Sequence, residues 1–400
     1  MYANIEYIKR YIINRFREHH KKIEEDYAPR SKRNHFKRDH GAANQRLMDN
    51  YFANQPLYND AMFHQRFQMR KHVFLRIVED LSRSDIYFTQ RVDAANKEGI
   101  YLLPKCITAM RMLAYGVAAD AVDEYIKIRG ITTLECLRIF CKGIIQLYEP
   151  VYLKAPTQEN LQGILHVSEM RGFPGMIGSI DCMHWEWKNC PTAWEVNILR
   201  EIREAPLLFL KRLHLMIYGS GMLFLGVQGN TPKVKFFVNN HPYDITFYLA
   251  HGIYPCYPTF IKSIRIPKSE EEKLFAHYQE GYRNDIERAF RVLQDRFKII
   301  REPARLWDIA DLAIIMRSCI ILHNMIVEDE RDTYAQQWTY AQQWTDYDQS
   351  EASGSSTAQP FSNEILPAFE NHVRARSELR DPTIHYELQE DLDKHIWAKF

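Results

Sequence analysis

Gly178-Ser-Ile-Asp-Cys-Met-His-Trp-Glu-Trp-Lys-Asn-Cys-Pro191 is the stretch on which the fold turns. The apolar run Gly175-Met-Ile-Gly-Ser-Ile-Asp-Cys182 reads as a buried strand, and it delivers a carboxylate, Asp181, at its end. A second stretch answers it, Asn284-Asp-Ile-Glu-Arg-Ala-Phe-Arg-Val-Leu293. It lies in a long periodic segment from about Glu270 to Phe297, with Leu274, Phe275, Tyr278, Tyr282, Ile286, Ala289, Phe290, Leu293 and Phe297 on one stripe. That spacing predicts a helix carrying Glu287. Two carboxylates far apart in sequence and met on one sheet are the layout that two-metal phosphodiester chemistry requires.

Each acid also has a plainer reading. Asp181 is either a ligand for a hard cation such as Mg²⁺ or the cap of a turn after a strand. Glu287, with Arg283 and Arg291 one turn to either side, is either a ligand or half of an i, i+4 ion pair worth little on a helix surface. His184 is a polar group beside the acid or an ordinary satisfied histidine. Cys182, His184 and Cys190 are soft donors, but their spacing matches no structural zinc pattern. Trp185 and Trp187 alternate onto one face, as packing residues do. The chain shows no nucleotide-binding glycine loop, serine elbow or kinase signature.

Outward from this centre, Leu207–Tyr218 and Met222–Val227 around Gly219-Ser-Gly221 read as a hairpin, and Val234–Val238 as a further strand. Ile309–Ile326 reads as an apolar helix running into His323-Asn324-Met325. Strands followed by helices predict one mixed α/β domain. Upstream the pattern is helical from about Asp60 to Tyr148. Phe63, Phe67, Met69, Val73, Phe74, Ile77, Val78 and Leu81 recur at the spacing of one amphipathic helix. Pro104–Tyr115, Ala118–Ile128 and Thr132–Tyr148 follow, with Gly116 and Gly130 between them and Thr132 or Thr133 as N-cap. Short helices joined by tight turns suit a helix-turn-helix, and a plain helical bundle equally well.

The ends differ from the middle. The first forty residues carry eleven Lys and Arg against six Asp and Glu, a basic arm able to meet phosphates or simply a solvated tail. Thr333-Tyr-Ala-Gln-Gln-Trp338 is duplicated at once as residues 339–344, which has the look of a replication slip. Residues 349–363 read as a flexible linker. Ile384, Leu388, Leu392 and Ile396 then mark a last helix that docks back or binds a partner.

Composition bounds the function classes. Net charge is +1 over 400 residues, so nucleic-acid affinity must come from local patches. Seven scattered cysteines without a C-x-x-C fit a reducing compartment, the nucleus or cytoplasm, and there is no signal-peptide pattern at the start. The apolar stretch 206–227 is interrupted by Lys211, Arg212 and His214, which speaks against a membrane span and a membrane partner.

Gly178–Trp194 closely resembles the plant transposase-derived proteins of the PIF/Harbinger superfamily. So do Tyr248-Leu-Ala-His-Gly-Ile-Tyr-Pro255, Asp285–Phe290, Cys319–Asp329, Arg111–Tyr125, Arg171–Gly175 and Leu392–Trp397. The resemblance implies an α/β fold, a ribonuclease-H-like mixed sheet with flanking helices, preceded by an all-α helix-turn-helix region. It divides the chain into a basic arm (1–45), a helix-turn-helix-like DNA-binding region (46–150), a DDE-type nuclease domain (151–330), a linker (331–365) and a C-terminal helix (366–400). It implies a metal-dependent nuclease that cuts and joins DNA in the nucleus, using two Mg²⁺ or Mn²⁺ ions, with DNA and a Myb-like protein as partners.

The resemblance places the first acid and metal ligand at Asp181 and the third at Glu287. The second falls on His251, within Leu249-Ala-His-Gly252, where the family has aspartate. A neutral imidazole brings no charge and prefers softer metals. Arg291 stands where the family has glycine, a cation able to compete for Glu287. Between Trp194 and Thr231 the resemblance lapses with sharp edges and returns at Gly226-Val-Gln-Gly229, as a frame shift with a deletion would leave it. These departures imply a degenerate nuclease. The alternatives are a domesticated, non-catalytic DNA-binding or chromatin-associated protein, or a relic without function.

Overall fold

The computed structural model describes residues 38–331 and 382–400, except 93, 95, 97, 155–156, 182–183, 192–206, 210–213, 219–221, 227–232, 253 and 255; for 184, 207–209, 214–218, 222–226 and 233 it describes the backbone alone. Residues 1–37 of the basic arm, Cys182, most of the 195–230 segment, the duplicated hexapeptide, the linker and residues 366–381 therefore lie outside the described residues.

The apolar stripe from Phe63 to Leu81 is buried along its whole length, but it belongs to two helices, not one. Helix α2 (Asp60–Phe67), which follows α1 (His40–Leu47), starts where the Asn59 side chain accepts the Met62 N–H at 2.9 Å. It stops at Gln68, whose left-handed backbone (φ 58°) returns its N–H to the His64 carbonyl. Helix α3 (Lys71–Ser84) then continues the stripe. Helices α4 (Leu102–Tyr115), α5 (Ala119–Ile126) and α6 (Gly130–Tyr152) follow. Gly116 ends α4 at φ +63°, where a Cβ would stand 3.0 Å from the Lys298 carbonyl oxygen. Helix α6 begins ahead of the expected threonine cap. Its N-cap is Arg129 with no side-chain bond, and Thr133 lies buried inside the first turn, its hydroxyl donating to the Ile128 carbonyl at 3.4 Å.

After α7 (Gln158–Met170) the described residues form nine short strands. The chain is a mixed α/β structure rich in helix. Its main sheet has the order β5 (Met222–Gly226), β4 (His214–Tyr218), β1 (Met176–Asp181), β8 (Phe247–Ala250), β9 (Phe260–Lys262). Neighbours are antiparallel from β5 to β1 and parallel from β1 to β9. The expected hairpin is present as β4 and β5, in register from His214↔Gly226 to Tyr218↔Met222. Leu207–Phe209 does not extend it; as β3 it pairs with β2 (His184–Glu186). Strands β6 (Lys233–Val238) and β7 (His241–Ile245) form a second hairpin, turned by Asn239 and Asn240 at φ 51° and 68°.

Two long helices complete the fold, α8 (Glu270–Arg296) and α9 (Ile309–Asp329). Helix α9 is long and apolar enough to cross a membrane. It runs instead through the largest core cluster, where Ile315, Met316, Cys319, Ile320, Ile321 and Leu322 meet residues of α2 to α6, the second half of α8, Trp185 and Trp187. Its polar end is satisfied inside that core. His323 Nδ1 lies 3.1 Å from an Arg296 N–H, and Asn324 donates to the Tyr152 carbonyl at 3.1 Å.

The last helix, α10 (Pro382–Lys399), docks back. Leu388, Leu392 and Ile396 fill a second cluster with Phe173, Phe247 and Phe275. The Asp391 carboxylate accepts from Tyr243 at 2.6 Å and His241 at 2.7 Å. Asp393 is less well served. Burial, then Glu271, Glu272 and Glu390, push its carboxyl up to about 6, and one of its oxygens is buried without a hydrogen bond. A folded-state value above the unfolded one means that folding favours the protonated acid, so stability falls as pH rises from about 4 through 6. Asp393→Asn is therefore expected to unfold later than wild type at pH 7.5, with the gap closing by pH 5. Thermal melts of both proteins across that range check it, and a gap independent of pH would contradict it.

Candidate catalytic centre

Three elements bring the sequence-derived residues together. Strand β1 is the middle of the five-stranded sheet and carries Asp181 to its C-terminal edge. Strand β8 runs beside it in the same direction with Ile180 opposite Ala250. The next residues, Asp181 and His251, thus stand at neighbouring strand ends. Helix α8 starts in a capping box formed by Ser269 and Glu272. The fully buried Gln279 ties it to the sheet, its amide donating to the Ala250 carbonyl at 3.2 Å and the Ile261 carbonyl at 3.1 Å. One and two turns further on, α8 presents Arg283 and Glu287.

Arg283 joins the two acids. Its Nη1 lies 2.7 Å from Glu287 Oε1 and 3.4 Å from Asp181 Oδ2. The side chains of Arg283 and Asp181 are 13% and 15% exposed and that of Glu287 is 34% exposed, so the group is shielded on the sheet side and open on the other. The i, i+4 ion pair read from sequence is real, and it reaches a third residue that spacing alone did not show. Arg291, the expected competitor for Glu287, is exposed; the guanidinium on Glu287 is that of Arg283. Asp285, two residues before Glu287, is engaged by Arg171 at 3.4 Å and Arg288 at 3.6 Å, with Arg171 also over the Tyr282 ring.

His251 is exposed, and its carbonyl accepts the Tyr254 N–H at 3.1 Å. Trp185 and Trp187 are fully buried packing residues, as expected, and each indole N–H has a carbonyl partner. Cys190 is half-buried with its thiol toward the Pro191 carbonyl, and the His184 side chain lies outside the described residues.

This donor set does not fit a pair of Mg²⁺ or Mn²⁺ ions. Hard dications need several anionic or carbonyl oxygens around each ion. Here both carboxylates are shared with one permanently charged guanidinium, and the third position offers an imidazole. Among the described residues no three His, Cys, Asp or Glu side chains are grouped closely enough to hold a metal ion.

Residues 150–217 and 214–334 match the family of plant transposon proteins, in two pieces that overlap at residues 214–217. Residues 44–82 match a domain family of unknown function. No curated protein matches the chain, and no solved structure does.

Proposed function

Residues 150–334 belong to the plant transposon protein family, consistent with a PIF/Harbinger-type origin, and from that premise we propose a transposase descendant that has lost DNA cleavage and acts by binding DNA. The observation that carries the loss is Arg283, held between Asp181 and Glu287 beside His251. A guanidinium cannot ligate a metal or take a proton from water near neutral pH, and its single charge offsets one of the two negative charges that a dication would use.

The strand arrangement supports descent from a ribonuclease-H-like nuclease. A central strand is flanked by an antiparallel pair on one side and two parallel strands on the other, with an acid-bearing helix packed on the sheet. Asp181, His251 and Glu287 follow one another on β1, after β8 and on α8, the order a DDE triad has in the family the sequence resembles. Binding rests on local cations. Arg288 and Arg291 are exposed on α8 beside the centre, and the first forty residues add the basic arm. A nuclear location and a Myb-like partner belong to the same reading. The family match breaks into two pieces at residues 214–217, which supports a disruption there, although the pieces together run through 195–230, where the sequence reading expects the resemblance to lapse.

Supercoiled plasmid incubated with the full chain and Mn²⁺ or Mg²⁺ tests the reading. Wild type and Asp181→Ala are expected to leave equal, background nicking, while a mobility-shift assay on the same DNA shows binding that weakens steeply with salt. Metal-dependent nicking that Asp181→Ala abolishes would restore the enzyme. A chain that neither nicks nor binds would be a relic.

A further inference from the structure

In the N-terminal helical region, α1, α2 and α4 bring three arginines together without a carboxylate. From α1 the chain passes into a π-helical turn, Met48–Phe52, which places Tyr51 in the core at 1% exposure. The Tyr51 hydroxyl accepts from Arg66 Nη1 of α2 at 2.6 Å and from Arg111 Nη2 of α4 at 3.0 Å. Two permanent positive charges thus meet at one neutral oxygen. Arg111 lies over the Tyr125 ring of α5, 4.6 Å from its centroid, and its Nε is buried without a hydrogen bond. Arg66 lies over the Tyr58 ring at 3.7 Å. At the exposed rim, Arg46 of α1 donates to the Tyr125 carbonyl at 3.3 Å, and Asn50 donates to the Tyr125 hydroxyl at 3.0 Å. Among the described residues, none of the three arginines forms an ion pair with Asp or Glu. Ring stacking eases the burial of a guanidinium but supplies no negative charge. Like charges gathered away from water are costly until an anion joins them.

We propose that Arg66 and Arg111, with Arg46 and Asn50 at the rim, bind a phosphate group. Donors outnumber acceptors in this cluster. The Tyr51 and Tyr125 hydroxyls and the Tyr125 carbonyl take one N–H from each arginine and one from Asn50, and every guanidinium carries more. A phosphate supplies what is missing, several acceptor oxygens pointing in different directions and enough negative charge to face two guanidiniums at once. A carboxylate has a single charge and a flat pair of oxygens, the match for one arginine. Two sources carry the phosphate chemistry, a free phosphate ester and the DNA backbone. Only the second rests on the DNA-binding reading, and the cluster shares no residue with Asp181, His251, Arg283 and Glu287.

The full chain in chloride buffer is titrated with inorganic phosphate and, separately, with acetate, while its melting temperature is followed. Wild type is expected to show a saturable rise with phosphate and none with acetate. Arg66→Met and Arg111→Met should each weaken the phosphate midpoint at least about tenfold, the effect of losing a charge-assisted hydrogen bond. Arg111→Lys keeps the charge without the planar fork and should fall between. Arginines that only pack would lower the melting temperature when replaced and leave the phosphate midpoint unchanged, which overturns the proposal. So does wild type that responds to both anions alike or to neither. Phenylglyoxal labelling of wild type, read by mass spectrometry, needs no variant to fold. Phosphate is expected to slow the labelling of Arg66 and Arg111 several-fold and to spare the exposed Arg129, and equal slowing of all three overturns the site. Mobility shifts on duplex DNA separate the two sources. If the backbone supplies the phosphate, Arg111→Met binds more weakly and its salt slope falls by about one. An unchanged slope beside a weakened phosphate midpoint assigns the site to a free phosphate ester. Wild type that binds phosphate but no DNA refutes the DNA-binding reading and leaves the site standing.

Discussion

The double variant His251→Asp/Arg283→Ala is expected to bind Mn²⁺ on the order of 100-fold more tightly than wild type. Disturbing groups one step removed from a metal ligand already changes affinity by about 10–100-fold, and here a ligand itself is restored. Neither single change should suffice. Arg283→Ala frees Asp181 and Glu287 from their shared guanidinium but leaves an imidazole at the third position. His251→Asp puts a third acid at the end of β8, beside two that still face Arg283. The two effects are coupled through one site and will not add. Without a metal the double variant carries three neighbouring carboxylates and lacks the Arg283 charge that faces two of them, so it should also be less stable than wild type and be rescued by Mn²⁺. Electron paramagnetic resonance of free Mn²⁺ measures the affinity, and thermal melts with and without the metal measure the rescue. Wild type binding as tightly as the double variant would mean that Arg283 yields readily and that the centre is a working metal site.

The parts of the centre that depend on one element alone were legible in the sequence. The run ending at Asp181 and the stripe carrying Glu287 each announce their element, and both acids do meet at one group. The parts that depend on packing between elements were not. Nothing in the spacing of Arg283 says that Asp181 stands across from it, because that follows from how α8 lies on β1. The Phe63–Leu81 stripe shows a buried face but not its interruption, since Gln68 adopts a left-handed backbone that no composition rule assigns to glutamine. Strand β7 is exposed at His241, Pro242 and Asp244 and so lacks an apolar run, although Asn239-Asn240, residues that tolerate positive φ, mark the turn before it. Likewise the core shared by α9 with α2 to α6 joins segments that sequence reading places in separate regions.

Trp185→Ala is expected to cost at least about 3–5 kcal/mol, the range for emptying a large aromatic from a core. The indole is 2% exposed and does more than fill space. Its N–H donates to the Glu302 carbonyl at 2.9 Å, and two residues on, Trp187 does the same to the Leu306 carbonyl at 2.8 Å. Between them the backbones lie side by side: Ala304 N–H donates to the Glu186 carbonyl at 2.7 Å and Lys188 N–H to the Ala304 carbonyl at 3.0 Å. The segment after α8 is thereby strapped to the one after β1, the two elements that hold Asp181 and Glu287. Trp185→Phe separates the contributions, for it keeps most of the volume and removes the donor. It should cost about 1–3 kcal/mol, the range for leaving a buried acceptor without its partner. Urea unfolding of the three proteins gives both numbers. If Trp185→Phe proved as costly as Trp185→Ala, the strap would act through its hydrogen bond. A cost below 1 kcal/mol for Trp185→Ala would mean that β2 and the 302–306 segment are held together by their backbones, and that Asp181 and Glu287 keep their positions without the tryptophan.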